Sequence, residues 1–386
     1  MSKKNRTPET SVDEFVSTPA KQNKKKKKKG GWLGRLIRRV LLVLFTIVFL
    51  AAGALVLVMN MIFNGPSPAA QEVLTMSLIE ASATKWVPAL FIGEERVAEI
   101  RTPVDNAELT QDVSTSTQVI IQKNNAMTAN SDEWANYPDG IRIEHFSGRT
   151  YDAHIMIVRD PSQVYMATST ENFSYNTPGT RITEEIENEG AIAAINAGAF
   201  FDDGTASPKV GSVPLGLVYA GGKCVWTQGT PNERGFAGLN EDNILVVAQD
   251  LTQAQAEAQN IRDGCGFGPV LIMNGEISQE AYSSNSGLNP RTVIGQRKDG
   301  AIIFLCVDGR QAGSLGATYA DLIDIMLEYG AYNACNMDGG SSSVMLYRDN
   351  EGRYGEAGEV IFVNNQSPLQ AEPRRMPNFW MVRPAE

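Results

Sequence analysis

The stretch from Ala331 to Met345 reads AYNACNMDGGSSSVM, and the interpretation of the whole chain starts from it. It opens with an apolar run that is long enough for one buried strand. It then changes to an acid, two glycines and three serines. We expect Asp338 at the carboxyl end of the strand, with Gly339 and Gly340 leaving the main chain open to a ligand. Ser341 and the next two serines would offer hydroxyl and N–H groups to an anion, whereas a plain hairpin turn is the alternative.

A second acid-glycine step lies thirty residues earlier and favours a site over a hairpin. Ile302 to Arg310 reads IIFLCVDGR, another apolar strand with an acid at its end. Between the two strands, Tyr319 to Tyr329 repeats apolar residues with a helical period, follows a capping box and stops at Gly330. Strand, helix and strand predict a βαβ unit with parallel outer strands. Asp308 and Asp338 are then expected at one rim of the sheet.

Two further segments place polar residues beside apolar strands. Ala191 to Asp203 reads AIAAINAGAFFDD, and Asn289 to Thr292 reads NPRT before the strand VIG. Ligands of such sheets gather at the carboxyl ends of strands, so we treat these segments as one constellation. Phe200 and Phe201 are adjacent, so we expect one of them to pack inward and only one to face a ligand.

The segments NAGAFF, NPRTVIG, LCVDGR and NMDGGSSS, in this order and spacing, resemble the phosphodiester glycosidase family. The likeness covers roughly residues 140–383. It implies an α+β domain with a mixed central β-sheet and flanking helices. It also implies hydrolysis of a sugar-1-phosphodiester at the bond between the sugar C1 and oxygen. The family often has a glycine where Ala197, Ala199 or Ser341 stands here, which leaves the choice of substrate open.

The resemblance and the chemistry of the residues together predict the site. Asp308 and Asp338 are the expected catalytic carboxylates, which stabilise a cationic sugar and activate water or attack directly. Arg291 and Arg310 are expected to bind the phosphate, because a guanidinium meets two phosphate oxygens at once. A structural ion pair is the alternative role for each arginine.

The remaining candidates bind the sugar. Asn196 would hold a hydroxyl or an N-acetyl group, and Phe201 would stack on the ring. His154 is included because members of the family carry a histidine near this point, although a core histidine is the plainer interpretation. The list of expected substrate-binding residues is Asn196, Phe201, Arg291, Arg310, Gly339, Gly340, Ser341 and His154.

The composition indicates neither a cofactor nor a disulfide framework. Four cysteines are too few and too scattered for such a framework, and Cys306 and Cys335 are interpreted as buried hydrophobes, with a bridge between them left open. No metal-ligand spacing is visible in the sequence. Asp202 and Asp203 leave a divalent metal such as calcium as the lesser alternative.

Charge divides the chain. Residues 1–39 carry 13 Lys and Arg against three acids, whereas the whole chain has a net charge of −10. We expect a basic, disordered cytoplasmic tail at 1–39, a transmembrane helix at 40–63, a neck and linker at 64–130, and a phosphodiester glycosidase domain at 131–386. The tail would contact anionic membrane lipids, and the acidic remainder argues against a nucleic-acid partner.

The span from Val40 to Phe63 has no charged residue and would be roughly 36 Å long as a helix, enough to cross a bilayer. The basic block before it predicts a single-pass protein of the cell membrane with its C-terminal domain outside. A cleaved signal peptide is the alternative, although its apolar region is usually shorter.

The functional prediction is an extracytoplasmic hydrolase that acts on a sugar-1-phosphodiester glycan of the cell envelope or an exopolysaccharide. A domain that binds glycans without turnover is the first alternative. A phosphodiesterase that cuts the P–O bond is the second, and two histidines give it little support.

Overall fold

The computed structural model describes residues 32–81, 83–105, 113–114, 134–201, 211–228, 235–366, 370 and 372–385. Within them the chain forms an α+β fold, as the sequence predicts. The predictions for the basic tail, for most of the linker, for the domain boundary at 130/131 and for Asp202 and Asp203 concern positions outside these ranges.

The described residues form seven α-helices, numbered here in chain order. They are α1 Trp32–Phe63, α2 Pro68–Ile79, α3 Val87–Asp105, α4 Ile182–Asn188, α5 Gln253–Ala258, α6 Gln279–Ser283 and α7 Tyr319–Glu328. The strands up to the middle of the chain are β1 Ile141–Ser147, β2 Asp152–Val158, β3 Val164–Thr168, β4 Thr180–Arg181, β5 Ala193–Asn196, β6 Val218–Ala220, β7 Lys223–Trp226, β8 Phe236–Asn240, β9 Leu245–Ala248 and β10 Ile261–Gly266. The later strands are β11 Val270–Met273, β12 Glu276–Ile277, β13 Arg291–Arg297, β14 Ile302–Val307, β15 Ala331–Met337, β16 Met345–Asp349, β17 Glu359–Phe362, β18 Arg375–Met376 and β19 Asn378–Val382.

The central sheet has seven strands in the order β1-β2-β14-β13-β15-β11-β12, and all its neighbouring pairs are antiparallel. The α+β class is as predicted, but the central sheet is antiparallel where a mixed sheet is expected. Strands β14 and β15 therefore run parallel to each other, as the predicted strand-helix-strand unit requires, but they are not neighbours. Strand β13 lies between them in the opposite direction. Its first residue consequently stands at the rim where β14 and β15 end.

The alternating side chains of this sheet enter two different cores, as the two-residue period of a strand requires. In β2, Met156 and Val158 join a core shared with two five-stranded sheets, whereas Ile155 and Ile157 pack on the side of α6 and α7. The two further sheets have the orders β7-β6-β10-β8-β9 and β17-β16-β5-β19-β3. The fold is thus layered, with helices on one face of the central sheet and strands on the other.

The N-terminal part of the described chain is helical. Helix α1 contains a 30-residue segment, Gly34–Phe63, that is long and apolar enough to cross a membrane. The helix itself begins at Trp32, eight residues before the predicted span at Val40. Residues 59–386 form one compact unit, separate from residues 1–58. Helices α2 and α3 belong to this larger unit and pack on each other, where sequence reasoning expects a neck.

Candidate active site

The register of three strands assembles the rim of the central sheet. In β13, Arg291 pairs with Val307 of β14, and the next residue, Thr292, pairs with Met337 of β15. Asp308 and Asp338 directly follow the two partner strands. Because one strand separates them, the backbones at Asp308 and Asp338 lie two strand spacings apart, about 9–10 Å. The predicted meeting of both acids at one rim is therefore observed.

Pro290 fills the space between the two acid-glycine steps. A Cβ atom on Gly309 would lie 2.6 Å from the Pro290 nitrogen, and one on Gly339 would lie 2.7 Å from the Pro290 oxygen. The Gly340 N–H donates to that same oxygen at 2.9 Å. Both glycines are thus required by the proline, in addition to any access that they give to a ligand.

Asp308 is buried and surrounded by donors. One carboxylate oxygen lies 3.0 Å from His154 Nε2 and accepts from Asn365 Nδ2 at 2.7 Å. The other accepts from the Asn365 main-chain N–H at 3.0 Å and from Asn364 Nδ2 at 3.3 Å. Charge-assisted bonds of this kind fit an ionised carboxylate. The His145 ring lies 4.8 Å from the His154 ring between centroids and is tilted to it by 47°, so His145 contacts the histidine partner of this acid and not the acid itself.

Asn196 joins the end of β5 to the Asp338 segment, although β5 belongs to a different sheet. Its Nδ2 donates to the Asp338 carbonyl at 2.6 Å, and its Oδ1 accepts from Thr292 Oγ1 at 2.8 Å and from the Val344 N–H at 3.1 Å. The side chain is fully buried by these partners. In this arrangement Asn196 orients the Asp338 segment, and its predicted contact with a sugar stays a prediction. Asp338 itself is half-buried.

Arg310 lies above the turn of Gly339 and Gly340, here called the glycine turn. Its φ is +57°, a conformation that costs energy for a residue with a side chain. Its Nη2 donates to Asn289 Oδ1 at 3.0 Å, and a Cβ on Gly340 would lie 3.1 Å from its Nη1. Partial removal from water lowers the pKa of the Arg310 guanidinium, as do the charges of Arg291 and Arg374, whereas nearby carboxylates oppose this. Arginine nevertheless stays charged at neutral pH.

A third arginine, Arg374, reaches the same turn from the C-terminal region. Its guanidinium lies 5.0 Å from the centroid of the Phe200 ring, and its Nη1 donates to Ser341 Oγ at 3.3 Å. The next hydroxyls, on Ser342 and Ser343, are buried and have no hydrogen-bond partner among the described residues. Hydroxyls and two guanidinium groups around one turn suit a ligand with several anionic oxygens.

Arg291 is held from several sides and is only 4% exposed. It donates to the main-chain oxygens of Ser286 at 2.6 Å and Ala317 at 3.3 Å, stacks on Tyr319 at 4.5 Å, and pairs with Glu80 at 2.9 Å. Burial lowers the pKa of this guanidinium, but Glu80 and Tyr319 together outweigh burial, and the net pKa is raised. The predicted phosphate contact of Arg291 stays untested, and Arg310 is the more accessible arginine.

Of the two adjacent phenylalanines, one is buried and the other is exposed, as the sequence predicts. Phe200 is buried under Arg374, and Phe201 is 43% exposed and meets Tyr175 edge-on at 5.4 Å. Among the described residues no group of three or more His, Cys, Asp or Glu could hold a metal ion. All four cysteines are free thiols in the structure.

The residues of this site lie in a segment that matches a known sequence family. The family model for phosphodiester glycosidases matches residues 189–383, which include β5, β13, β14 and β15. The chain belongs to the phosphodiester glycosidase family. The match contains both acids of the rim, Pro290, and all three arginines at this corner of the site.

Two comparisons describe the relatives of this phosphodiester glycosidase. A zebrafish structure, the catalytic domain of N-acetylglucosamine-1-phosphodiester alpha-N-acetylglucosaminidase auto-inhibited by its pro-peptide, is 20% identical with a TM-score of 0.54. It covers 74% of this chain and 93% of that one, and it supports the fold alone. An uncharacterized SPbeta prophage-derived protein of Bacillus subtilis, YomE, is 34% identical over 100 residues, which are 25% of this chain and 15% of YomE.

Several residues of the site are not predicted from the sequence of this glycosidase. Asn364 and Asn365 occur in a polar run, NNQSP, that is typical of a turn. Arg374 is distant along the chain, and Glu80 lies in the segment that is interpreted as a neck. The only signal for the asparagines is their adjacency, and for Arg374 its place at the end of the matched segment.

We predict that Asn196→Ala lowers the free energy of unfolding by about 2–4 kcal/mol. It leaves the Val344 N–H, the Thr292 hydroxyl and the Asp338 carbonyl buried without their partner, at about 1–3 kcal/mol per unsatisfied group before relaxation. For a domain of this size we expect a fall in melting temperature of roughly 5–15 °C, measured on the detergent-solubilised chain.

The matched control is Asn350→Ala, which removes the same side chain from an exposed turn. It is expected to change stability by less than about 0.5 kcal/mol. Equal melting temperatures for the two variants would contradict the structural role of Asn196.

Proposed function

We propose that this protein hydrolyses sugar-1-phosphodiesters at the bond between the sugar C1 and oxygen. The observation that carries the proposal is the corner where the Asp338 carboxylate, the Arg310 guanidinium and the Gly339–Ser341 turn meet at the end of β15. Arg310 and Asp338 are close enough for the carboxylate to oppose the lowering of the Arg310 pKa by burial. A sugar phosphate needs this combination of an acid for C1 and cations for the phosphate.

Charge neutralisation is the main requirement of such a leaving group. A phosphodiester leaves more readily than an alcohol, so it depends less on a proton donor and more on cations that stabilise the departing phosphate. We assign this role to Arg310 and Arg374, which approach the same turn from two parts of the chain that are 64 residues apart in sequence. The hydroxyls of Ser341, Ser342 and Ser343 and the Gly340 main chain complete the cradle.

The two acids have different positions and therefore different proposed roles. Asp338 is half-buried, and we assign it to the sugar C1, where it attacks directly or activates water. The Asp308 side chain is only 1% exposed beneath the Asn364–Asn365 segment. We propose that Asp308 does not contact the substrate. It contributes a negative charge from beneath the Asn364–Asn365 segment and holds that segment against the end of β14.

The sugar would lie toward the exposed aromatic pair. Phe201 and Tyr175 present ring faces and edges at the surface beyond β5, and aromatic rings of this kind stack on the apolar faces of sugars. A half-open aromatic surface also leaves room for neighbouring sugar units. This favours a glycan of the cell envelope or an exopolysaccharide over a small soluble substrate.

Anchoring completes the proposal. The uncharged segment that ends at Phe63 would cross the membrane once, with the lysine-rich tail in the cytoplasm against anionic lipids. The glycosidase domain would then lie outside the cytoplasm. A glycan-binding domain without turnover is the alternative, and it predicts affinity for the same ligands with no product.

The first prediction concerns the acids. On synthetic sugar-1-phosphodiesters, Asp338→Asn should lower kcat/KM by at least about a hundredfold, the range for a positioned catalytic group, with an unchanged melting temperature. Asp308→Asn should lose activity and also stability, because an amide cannot accept all four of the hydrogen bonds made there. Products are identified by mass spectrometry, which separates C1–O from P–O cleavage.

The control for the acids is Asp324→Asn, on the exposed face of α7. It should keep wild-type activity and stability. Near-normal turnover by Asp338→Asn would refute the proposed role of this carboxylate, and binding without any product in the wild type would favour the alternative function.

The second prediction separates phosphate contacts from sugar contacts. Arg310→Ala and Arg374→Ala should each lower kcat/KM on a phosphodiester by roughly ten- to a hundredfold, since a hydrogen bond to a charged group is worth about 1.5–3 kcal/mol. An activated aryl glycoside of the same sugar has no phosphate and should be affected much less. The ratio of the two efficiencies is the measured quantity.

Arg375→Ala is the neighbouring control, because Arg375 turns away to Gly179 and Glu184. It should leave the ratio unchanged. An equal loss on both substrates for Arg310→Ala would place the phosphate elsewhere.

The third prediction concerns orientation in the membrane. Protease added to intact cells should remove the glycosidase domain and leave an N-terminal epitope tag protected, because the basic block precedes the apolar span. A cytoplasmic marker that stays intact is the control. Protection of the domain, while a known external protein is cleaved, would refute this orientation.

A further inference from the structure

We propose that Glu80, which lies outside the segment matched by the family model, is a positioning residue of the site. Resting on the function proposed above, the inference is that Glu80 holds the loop of residues 285–291. That loop in turn sets Arg310 and the glycine turn. Glu80 follows the last residue of α2, in the part of the chain that precedes the glycosidase domain.

The first step is the docking of α2 on this loop. The Leu288 N–H donates to Ser77 Oγ at 2.8 Å, and Asn285 Nδ2 donates to the Glu72 carboxylate. At Gly287 the loop passes so close that a Cβ would lie 2.5 Å from the Ser77 nitrogen. These contacts fix α2 along the loop and bring its C-terminal end toward Arg291.

The second step is the charge of Arg291. Its guanidinium is buried against main-chain oxygens of the loop, which accept hydrogen bonds but carry no charge. Glu80 supplies the negative charge, with its two carboxylate oxygens 2.9 Å from Nη1 and 3.4 Å from Nη2. A buried guanidinium without a counter-ion is unfavourable, so the loop conformation depends on this carboxylate.

The third step connects the ion pair to the site. Glu80 also accepts from Asn289 Nδ2 at 2.8 Å, and the other side of the same amide accepts from Arg310 at 3.0 Å. The next residue, Pro290, accepts from the Gly340 N–H at 2.9 Å. One carboxylate therefore orients both residues of the loop that touch the proposed phosphate cradle.

The chemistry separates this role from direct catalysis. Glu80 is an anion beside a cradle for anions, so a direct contact with the substrate phosphate would be repulsive. If it positions Arg310, its loss weakens the stabilisation of the departing phosphate and affects a substrate without a phosphate much less. If Glu80 instead occupies the phosphate site and blocks the substrate, removal of its carboxylate increases activity.

The experiment uses the full chain in detergent micelles and compares Glu80→Gln with the wild type. We expect kcat/KM for a sugar-1-phosphodiester to fall about tenfold, with an activated aryl glycoside of the same sugar affected much less. Glu80→Asp keeps the charge on a shorter side chain and should recover part of the loss. Glu94→Gln, an exposed carboxylate of α3, is the control and should match the wild type.

Hydrogen exchange, followed by mass spectrometry, tests the same inference without any turnover. In Glu80→Gln, peptides that cover 285–291 and 338–343 should exchange about tenfold faster, while the central strand 302–307 stays protected. This readout decides the inference even if the wild type hydrolyses none of the substrates, an outcome that would refute the proposed function alone. If Glu80→Gln does not fold, Glu80→Asp decides by the same measurements.

Two results would overturn the proposal. The first is a gain of activity in Glu80→Gln, which would identify Glu80 as an obstruction. The second is unchanged exchange of residues 338–343 in a folded Glu80→Gln, which would show that the turn does not depend on the ion pair.

Discussion

The site depends on the contact of Pro290 with the two acid-glycine steps. Pro290 has a fixed φ and lies against Gly309 and Gly339 at distances that no Cβ tolerates. Its carbonyl accepts the Gly340 N–H, so the turn after β15 is attached to the start of β13. The spacing of the two acids is thus set by close packing of the backbone, which is stiffer than a contact between side chains.

Side-chain amides connect this backbone packing to the charged groups of the site. Asn196 holds the main chain at Asp338, Asn289 stands between Glu80 and Arg310, and Asn365 closes over Asp308. An amide can donate and accept at once, so it links two segments without adding a charge. Buried networks of this type stabilise one arrangement strongly when every member is paired. The charges of the site are therefore oriented mainly by neutral residues.

The sequence predicts the fold class, the bounds of β14, and the helix that ends before Gly330, because their apolar periods are long and their ends are marked. Strands β8 and β10 are not predicted, since Gly238 and Gly264 are typical of turns. In the structure these glycines make room for the Phe236 ring, which lies where their Cβ atoms would be. The rim could be predicted because strand ends are local features. The pairing of Arg291 with Glu80 and the contacts of Asp308 with Asn364 and Asn365 could not, since these partners come from distant segments.

The place of β19 has a consequence for biosynthesis. This strand pairs with β5 on one side and β3 on the other, so the last strand of the described chain lies inside its sheet. Until it emerges from the ribosome, β3 and β5 lack a shared neighbour, and β5, whose last residue is Asn196, can pair with β16 alone. Non-local pairing of this kind is slow to form. The rim that carries Asp338 is therefore completed only after the last strand of the described chain has been synthesised.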